Sequence, residues 1–226
     1  MLQLADWAAH ADRQAERYRD GERRLPDAAD PDSRQRQLTR MGNAAGGAGF
    51  ALLMDGRADE AAEWLRVAAE RYRESIVDAP PGSWGRPLGA MKALVIAGDW
   101  AAAEDAARWA LELGAAEAES AIGRYAGSLA LLVLGRDSEA RPVAASLRER
   151  DDFPGDVAAA LVALASADRG AYVPAVERVL ESFESRDEYL EDIPIADTVL
   201  VLQSLAARRE LEAELSSQLL PSNSTS

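Results

Sequence analysis

The chain contains no cysteine, which excludes disulfide scaffolds, thiolate metal sites and cysteine nucleophiles. Histidine is reduced to His10. Multi-histidine metal sites are therefore excluded, and the one imidazole falls in a predicted flanking helix, where surface or packing use suits it better than catalysis. Lysine occurs once, at Lys92, and every other basic side chain is arginine, a bias that a GC-rich genome or a high-salt habitat can produce. The longest apolar runs, residues 126–134 and 198–202, are far shorter than the roughly 20 residues needed to cross a bilayer. The first segment reaches Asp6 before any apolar core develops, so no secretory signal and a cytoplasmic location are expected.

What is present points to helices. Hydrophobic residues make up 48% of the 226 residues and only 6% are aromatic; alanine, which costs no side-chain entropy in a helix, recurs throughout. That length suits one domain or a compact array of small units. Acidic residues number 39 against 25 basic ones, a net charge of -14. Such a surface repels phosphate backbones, so neither nucleic acid nor an anionic membrane is an expected partner, whereas a basic protein is.

Residues 4–24 read as an amphipathic helix with Leu4, Trp7, Ala11 and Tyr18 on one side, ended by Leu25-Pro26 and followed by a loop over 27–33. Four later segments share one shape: ALLMDGRADEAAEWL from Ala51, ALVIAGDWAAAEDAA from Ala93, ALLVLGRDSEARPVA from Ala130 and ALVALASADRGAYVPAV from Ala160. In the first three an apolar helix end runs into Gly56, Gly98 or Gly135, and an alanine-rich helix follows with Ala61, Ala103 or Ala140 in matching places. Glycine supplies a left-handed helix stop at little cost, and the small residues let two antiparallel helices touch. The fourth copy is expected to stretch its turn by two residues, through 167–170. The copies start 42, 37 and 30 residues apart, close to the repeat lengths of helical arrays, whose units must stack to bury their apolar faces.

Breaks are expected at Pro80-Pro81-Gly82, at Gly114, over 150–155 with Asp156 as the next N-cap, and over 185–194. A last apolar helix, about residues 195–208, should close an otherwise exposed apolar end, and the tail from Pro221 should fray. The predicted fold is all-α with about ten helices, an array of antiparallel helical hairpins forming a tetratricopeptide-like α-solenoid or compact α-α superhelix. Within one domain over 1–226, residues 1–36 form a flanking helix and loop, 37–184 four hairpins, and 185–221 a loop, closing helix and tail.

No cofactor or catalytic motif emerges. The stretch GNAAGGAGF, with Gly42, Gly46, Gly47 and Gly49, has neither Walker spacing nor a preceding strand; close helix packing or a weak helix start accounts for it better than phosphate binding. Asp151, Asp152 and Asp156 flank a turn, and Glu184, Asp187, Glu188, Glu191 and Asp192 crowd a later loop. Neither set has an EF-hand pattern, so a protein-binding surface or solvated charge outweighs metal or acid–base work. The later loop, SFESRDEYLEDIP, adds Phe183, Tyr189 and Leu190, so acidic groups there can steer a basic partner and an exposed aromatic can anchor it. Trp84 with Arg86 is a second candidate surface, with a wedge between hairpins as the competing role for Trp84. Asp197 opens an apolar segment, where a helix N-terminus stabilises its charge.

Two resemblances accompany these patterns. The repeated hairpin shape resembles a tetratricopeptide-type repeat. Over roughly residues 40–221 the chain resembles the immunity protein 49 family of bacterial and archaeal polymorphic-toxin systems, through WGRPLGAMKALVIAGDW from Trp84, YAGSLALLVLGRDSEAR from Tyr125, and DEYLEDIPIADTVLVLQSLAARRELEAEL from Asp187 with the LLP that follows. That resemblance implies a non-enzymatic protein that binds and neutralises a cognate toxin, and it carries no catalytic residue. A general helical-repeat scaffold is the nearest alternative and a carboxylate-dependent hydrolase a distant one.

Overall fold

The computed structural model describes residues 6–222; Leu4 of the predicted first helix and the tail beyond Ser222 lie outside the described residues. Among the described residues there are ten α-helices, three single-turn 3-10 helices and no strand. The α-helices are α1 (Trp7–Arg24), α2 (Pro31–Met54), α3 (Ala58–Ser75), α4 (Gly85–Ile96), α5 (Trp100–Glu112), α6 (Ala121–Val133), α7 (Asp137–Leu147), α8 (Gly155–Ala165), α9 (Arg169–Glu184) and α10 (Asp197–Ala207). Among the described residues, none of these is long and apolar enough to cross a membrane.

Local chemistry sets the boundaries. The Asp6 carboxylate accepts from the Ala9 N–H at 2.9 Å and starts α1. Asp30 does the same for Ser33 at 2.9 Å, and Pro31 occupies the first helical position, where its missing N–H costs nothing. The second helix therefore begins inside the predicted 27–33 loop. Asp156 is not an N-cap: it lies in the first turn of α8, after a Pro154 cap, and its carboxylate accepts from Arg178 Nε at 2.6 Å.

Four connections, over residues 55–57, 97–99, 134–136 and 166–168, are three residues long. Each repeats one hydrogen-bonded stop. Arg57 N–H reaches the Leu52 carbonyl at 2.9 Å, Asp99 reaches Leu94 at 3.0 Å, Arg136 reaches Leu131 at 2.9 Å, and Asp168 reaches Ala163 at 3.0 Å. The middle residue is left-handed in all four, with φ of 79° at Gly56, 70° at Gly98, 68° at Gly135 and 51° at Ala167. The fourth turn is thus not stretched. Ala167 takes the glycine position despite its Cβ, so the copy aligns from Val162 rather than Ala160, and Gly170 belongs to α9. Tyr172 then falls where the other copies carry Ala61, Ala103 and Ala140, and all four are buried.

Each helix from α1 to α9 packs on the next, and contacts also join α4 to α6 and α6 to α8. The last helix does more than close one end, because α10 lies against α4, α8 and α9. Its buried Val199, Leu202 and Leu205 join the main hydrophobic core. Past its far end Arg209 Nη2 donates to the Leu132 carbonyl at 2.8 Å and Nε to Asp137 at 3.2 Å. The Arg208 guanidinium stacks 4.3 Å from the centre of the Trp100 ring. A smaller core of Ala11, Ala51, Leu52, Ala61, Ile193 and Ile195 ties α1–α3 to the segment preceding α10.

Candidate functional site

The glycine-rich stretch lies inside α2, where it permits close packing. A Cβ on Gly42 would fall 2.9 Å from Tyr72 Cε1, and one on Gly89 of α4 would fall 2.9 Å from Cε2. The Tyr72 ring is thus clasped between α2 and α4, and its hydroxyl donates to Asn43 Oδ1 at 2.8 Å. Gly47 receives the Gln14 side chain, which would lie 3.1 Å from an added Cβ.

Beside the clasped ring is a cavity of about 440 Å³, lined from α2, α3 and α4 and from Glu191 and Asp197. Phe50, Ala68, Leu88 and Ala93 supply apolar wall; Thr39, Asn43, Tyr72, Arg86 and Lys92 supply polar groups. Arg86 projects from the first turn of α4. Its Nε donates to Thr39 Oγ1 at 3.2 Å and its Nη2 to Gln35 Oε1. Neither acceptor is charged, and among the described residues no carboxylate pairs with this guanidinium. Burial accordingly lowers its pKa from the ordinary arginine value.

Lys92 is held differently. Its Nζ lies 2.5 Å from Asp197 Oδ2 and 3.1 Å from Thr198 Oγ1. Burial pulls its pKa down, but the adjacent Asp197 carboxylate and the Tyr125 hydroxyl outweigh that, leaving it above the ordinary lysine value. Burial raises the Tyr125 hydroxyl's own pKa, against the pull of Lys92. Glu191 is engaged by Arg17, and its carbonyl accepts from Gln14 Nε2 at 3.0 Å. Its backbone is left-handed, φ 56°.

The residues singled out in the sequence separate into three places. Arg86 and Glu191 meet at the cavity. Trp84 wedges between α4 and α6, where a Cβ on Gly123 would lie 2.8 Å from its Nε1. The acidic loop stands outside: Asp187, Glu188 and Asp192 are exposed, and Glu184 accepts from Ser217 Oγ at 2.6 Å. Tyr189 is half-buried and donates to the Phe183 carbonyl at 2.7 Å. Phe183 is buried, with the Arg186 guanidinium 3.6 Å above its ring. The Leu190 side chain lies outside the described residues.

Of the other candidates, Asp152 pairs with Arg150 at 2.7 Å. His10 Nδ1 accepts from Arg13 Nη2 at 2.7 Å and its ring lies against Trp7; burial, then Arg13, lowers its pKa. Among the described residues no cluster of His, Cys, Asp or Glu is arranged to hold a metal ion. Sequence reasoning missed Tyr72, Asn43 and the partnership of Lys92 with Asp197. Its available signal was a sole lysine in an arginine chain and a lone acid opening an apolar segment. Comparison with protein-family models, with curated proteins and with solved structures found no match in any of the three.

Proposed function

We propose that this chain is a non-catalytic, cytoplasmic binding protein, a tetratricopeptide-like α-solenoid of antiparallel hairpins whose target is a basic protein engaged through the loop over residues 184–192. The observation that carries this reading is the presentation of that loop. Asp187, Glu188 and Asp192 are exposed and in no ion pair among the described residues. The backbone beneath them is anchored by the Tyr189 hydroxyl, by Glu191 on Arg17 and by Gln14 on the Glu191 carbonyl. Charges fixed before encounter accelerate association with an oppositely charged partner without an ordering cost at contact. The two carboxylates at the cavity, Glu191 and Asp197, are already taken by Arg17 and Lys92, which speaks against a two-carboxylate hydrolase.

Toxin immunity is the specific form of this proposal and rests on the family resemblance. Its test is co-expression with a toxin domain encoded beside the chain's own gene: growth should be rescued, and the two proteins should co-purify. A variant carrying Asp187→Lys, Glu188→Lys and Asp192→Lys should lose both effects while keeping its helical circular dichroism. Full rescue by that folded variant would remove the loop from the binding surface, and no rescue by the wild-type chain would remove immunity. A general scaffold differs in that its partners would not be toxins.

A further inference from the structure

We propose that the cavity between α2, α3 and α4 is a binding site for a small organic carboxylate with an apolar body, its carboxylate received by Arg86. The inference does not depend on the protein-binding role of the acidic loop.

Charge within the cavity decides the class of ligand. Lys92 and Asp197 neutralise one another, as do Arg17 and Glu191. Arg86 is left as the one lining cation without a carboxylate among the described residues, held in position by Gln35 and Thr39. A guanidinium taken partly out of water and given only neutral acceptors keeps an unmet demand for an anion, and its planar fork matches a carboxylate. Gly85 and Arg86 lie in the first turn of α4, which has no side-chain cap, so the positive end of the helix dipole adds to the same field. Asn43 contributes further donors: its Oδ1 is occupied by the Tyr72 hydroxyl, and its amide N–H groups have no acceptor among the described residues.

Shape and polarity narrow the choice further. A cavity of about 440 Å³ is in the range that encloses small organic ligands, and bare phosphate would leave most of it empty. Phe50, Ala68, Leu88 and Ala93 form a wall suited to a hydrocarbon body. A dianion would require a second uncompensated cation, and Lys92 is already balanced by Asp197. A cationic ligand would face Arg86 with both lining carboxylates taken.

The experiment uses the full chain and four probes: phenylacetate, hexanoate, phenylacetamide and inorganic phosphate. Isothermal titration calorimetry should show saturable binding of the two carboxylates at one per chain, and the amide and phosphate should bind about tenfold more weakly or worse. In ¹H–¹⁵N spectra the carboxylates should shift the Gly85, Gly89 and Gly46 amides. Arg86→Gln, which keeps a polar group facing Gln35 and Thr39, should weaken phenylacetate by about tenfold or more. Gly46→Leu tests the cavity without altering Arg86. An added Cβ there has Ala68 Cβ as its nearest neighbour, at 3.8 Å, so the side chain fills the space and should abolish binding. Absence of saturable carboxylate binding, equal binding of phenylacetamide, tighter binding of phosphate, or undiminished binding in folded Gly46→Leu would each overturn the proposal.

Discussion

Lys92 Nζ lies 2.5 Å from Asp197 Oδ2, joining the middle of α4 to the first residue of α10. With side-chain exposures of 14% and 22%, the pair is mostly out of water, where removing one partner leaves an uncompensated charge. Asp197→Ala should therefore cost about 3 kcal/mol in urea unfolding, and Lys92→Met a comparable amount. The double variant Lys92→Met/Asp197→Asn should recover most of the loss. Because the folded lysine titrates above its ordinary value of 10.5, the pair's contribution is complete below that pH and declines as pH rises towards the folded value. Alkaline destabilisation should accordingly be shallower in the double variant than in the wild type.

Ala167 occupies a left-handed turn position that its three counterparts fill with glycine. Relieving the Cβ conflict by Ala167→Gly should raise stability by about 1 kcal/mol, read as a higher urea midpoint at unchanged slope. Glu210, φ 56°, follows α10 in the same conformation, with the Leu211 N–H on the Ala206 carbonyl at 3.0 Å. Glu210→Gly should act in the same direction. Gly56→Ala should do the opposite.

Two glycines beside the cavity should respond with opposite signs. Gly46→Ala has room for its methyl, 3.8 Å from Ala68 Cβ, and should gain up to about 1 kcal/mol from helix propensity. Gly89→Ala places its methyl 2.9 Å from the clasped Tyr72 ring and should lose about 1–3 kcal/mol net. Thermal unfolding of both variants checks this, and a Gly89→Ala protein as stable as wild type would mean that the clasp is loose.

Acid should destabilise the fold. Asp99 is held below its ordinary value of 3.8 by hydrogen bonds from Arg66 and from the Ala102 N–H that it caps. Arginine hydrogen bonds depress Glu60 and Glu139 likewise. Folded values below unfolded ones give stability that is complete only above the ordinary values, 3.8 for Asp99 and 4.5 for the two glutamates, and is lost as pH falls through the folded values. The urea midpoint should therefore drop below pH 4, and Asp99→Asn should flatten part of that drop.

The helices were legible because their stops are written locally. Gly56, Gly98 and Gly135 mark turns through a backbone requirement any reader of sequence can apply, whereas the caps at Asp6 and Asp30 fall inside a predicted helix and a predicted loop and are not legible as starts. The fourth turn is hidden in the sequence because Ala167 takes the left-handed glycine position without glycine's signature, with Gly170 nearby as a decoy. The cavity was not legible. It depends on Gly42 and Gly89, far apart in the chain, closing on one tyrosine ring, and on α10 bringing Asp197 to Lys92. Arg86 and Glu191 carry separate surface signals in the sequence, and their meeting at the cavity is a product of tertiary packing. Phe183 and Tyr189, read as possible anchors for a partner, are spent largely on holding the loop.

The grip of Arg17 and Gln14 on Glu191 has a kinetic corollary. Stacked helix pairs that touch only their neighbours can lose structure one unit at a time from either end. Here the first described helix is fastened to the strand of chain leading into the last, and that last helix reaches back to α4. The contacts close the molecule like a buckled belt, joining α1 to the segment before α10 through Gln14, Arg17 and the small core around Ile193 and Ile195. Denaturation should therefore pass through a single cooperative transition without gradual fraying, and refolding should wait on contacts that span most of the chain, slower than helical content alone would suggest.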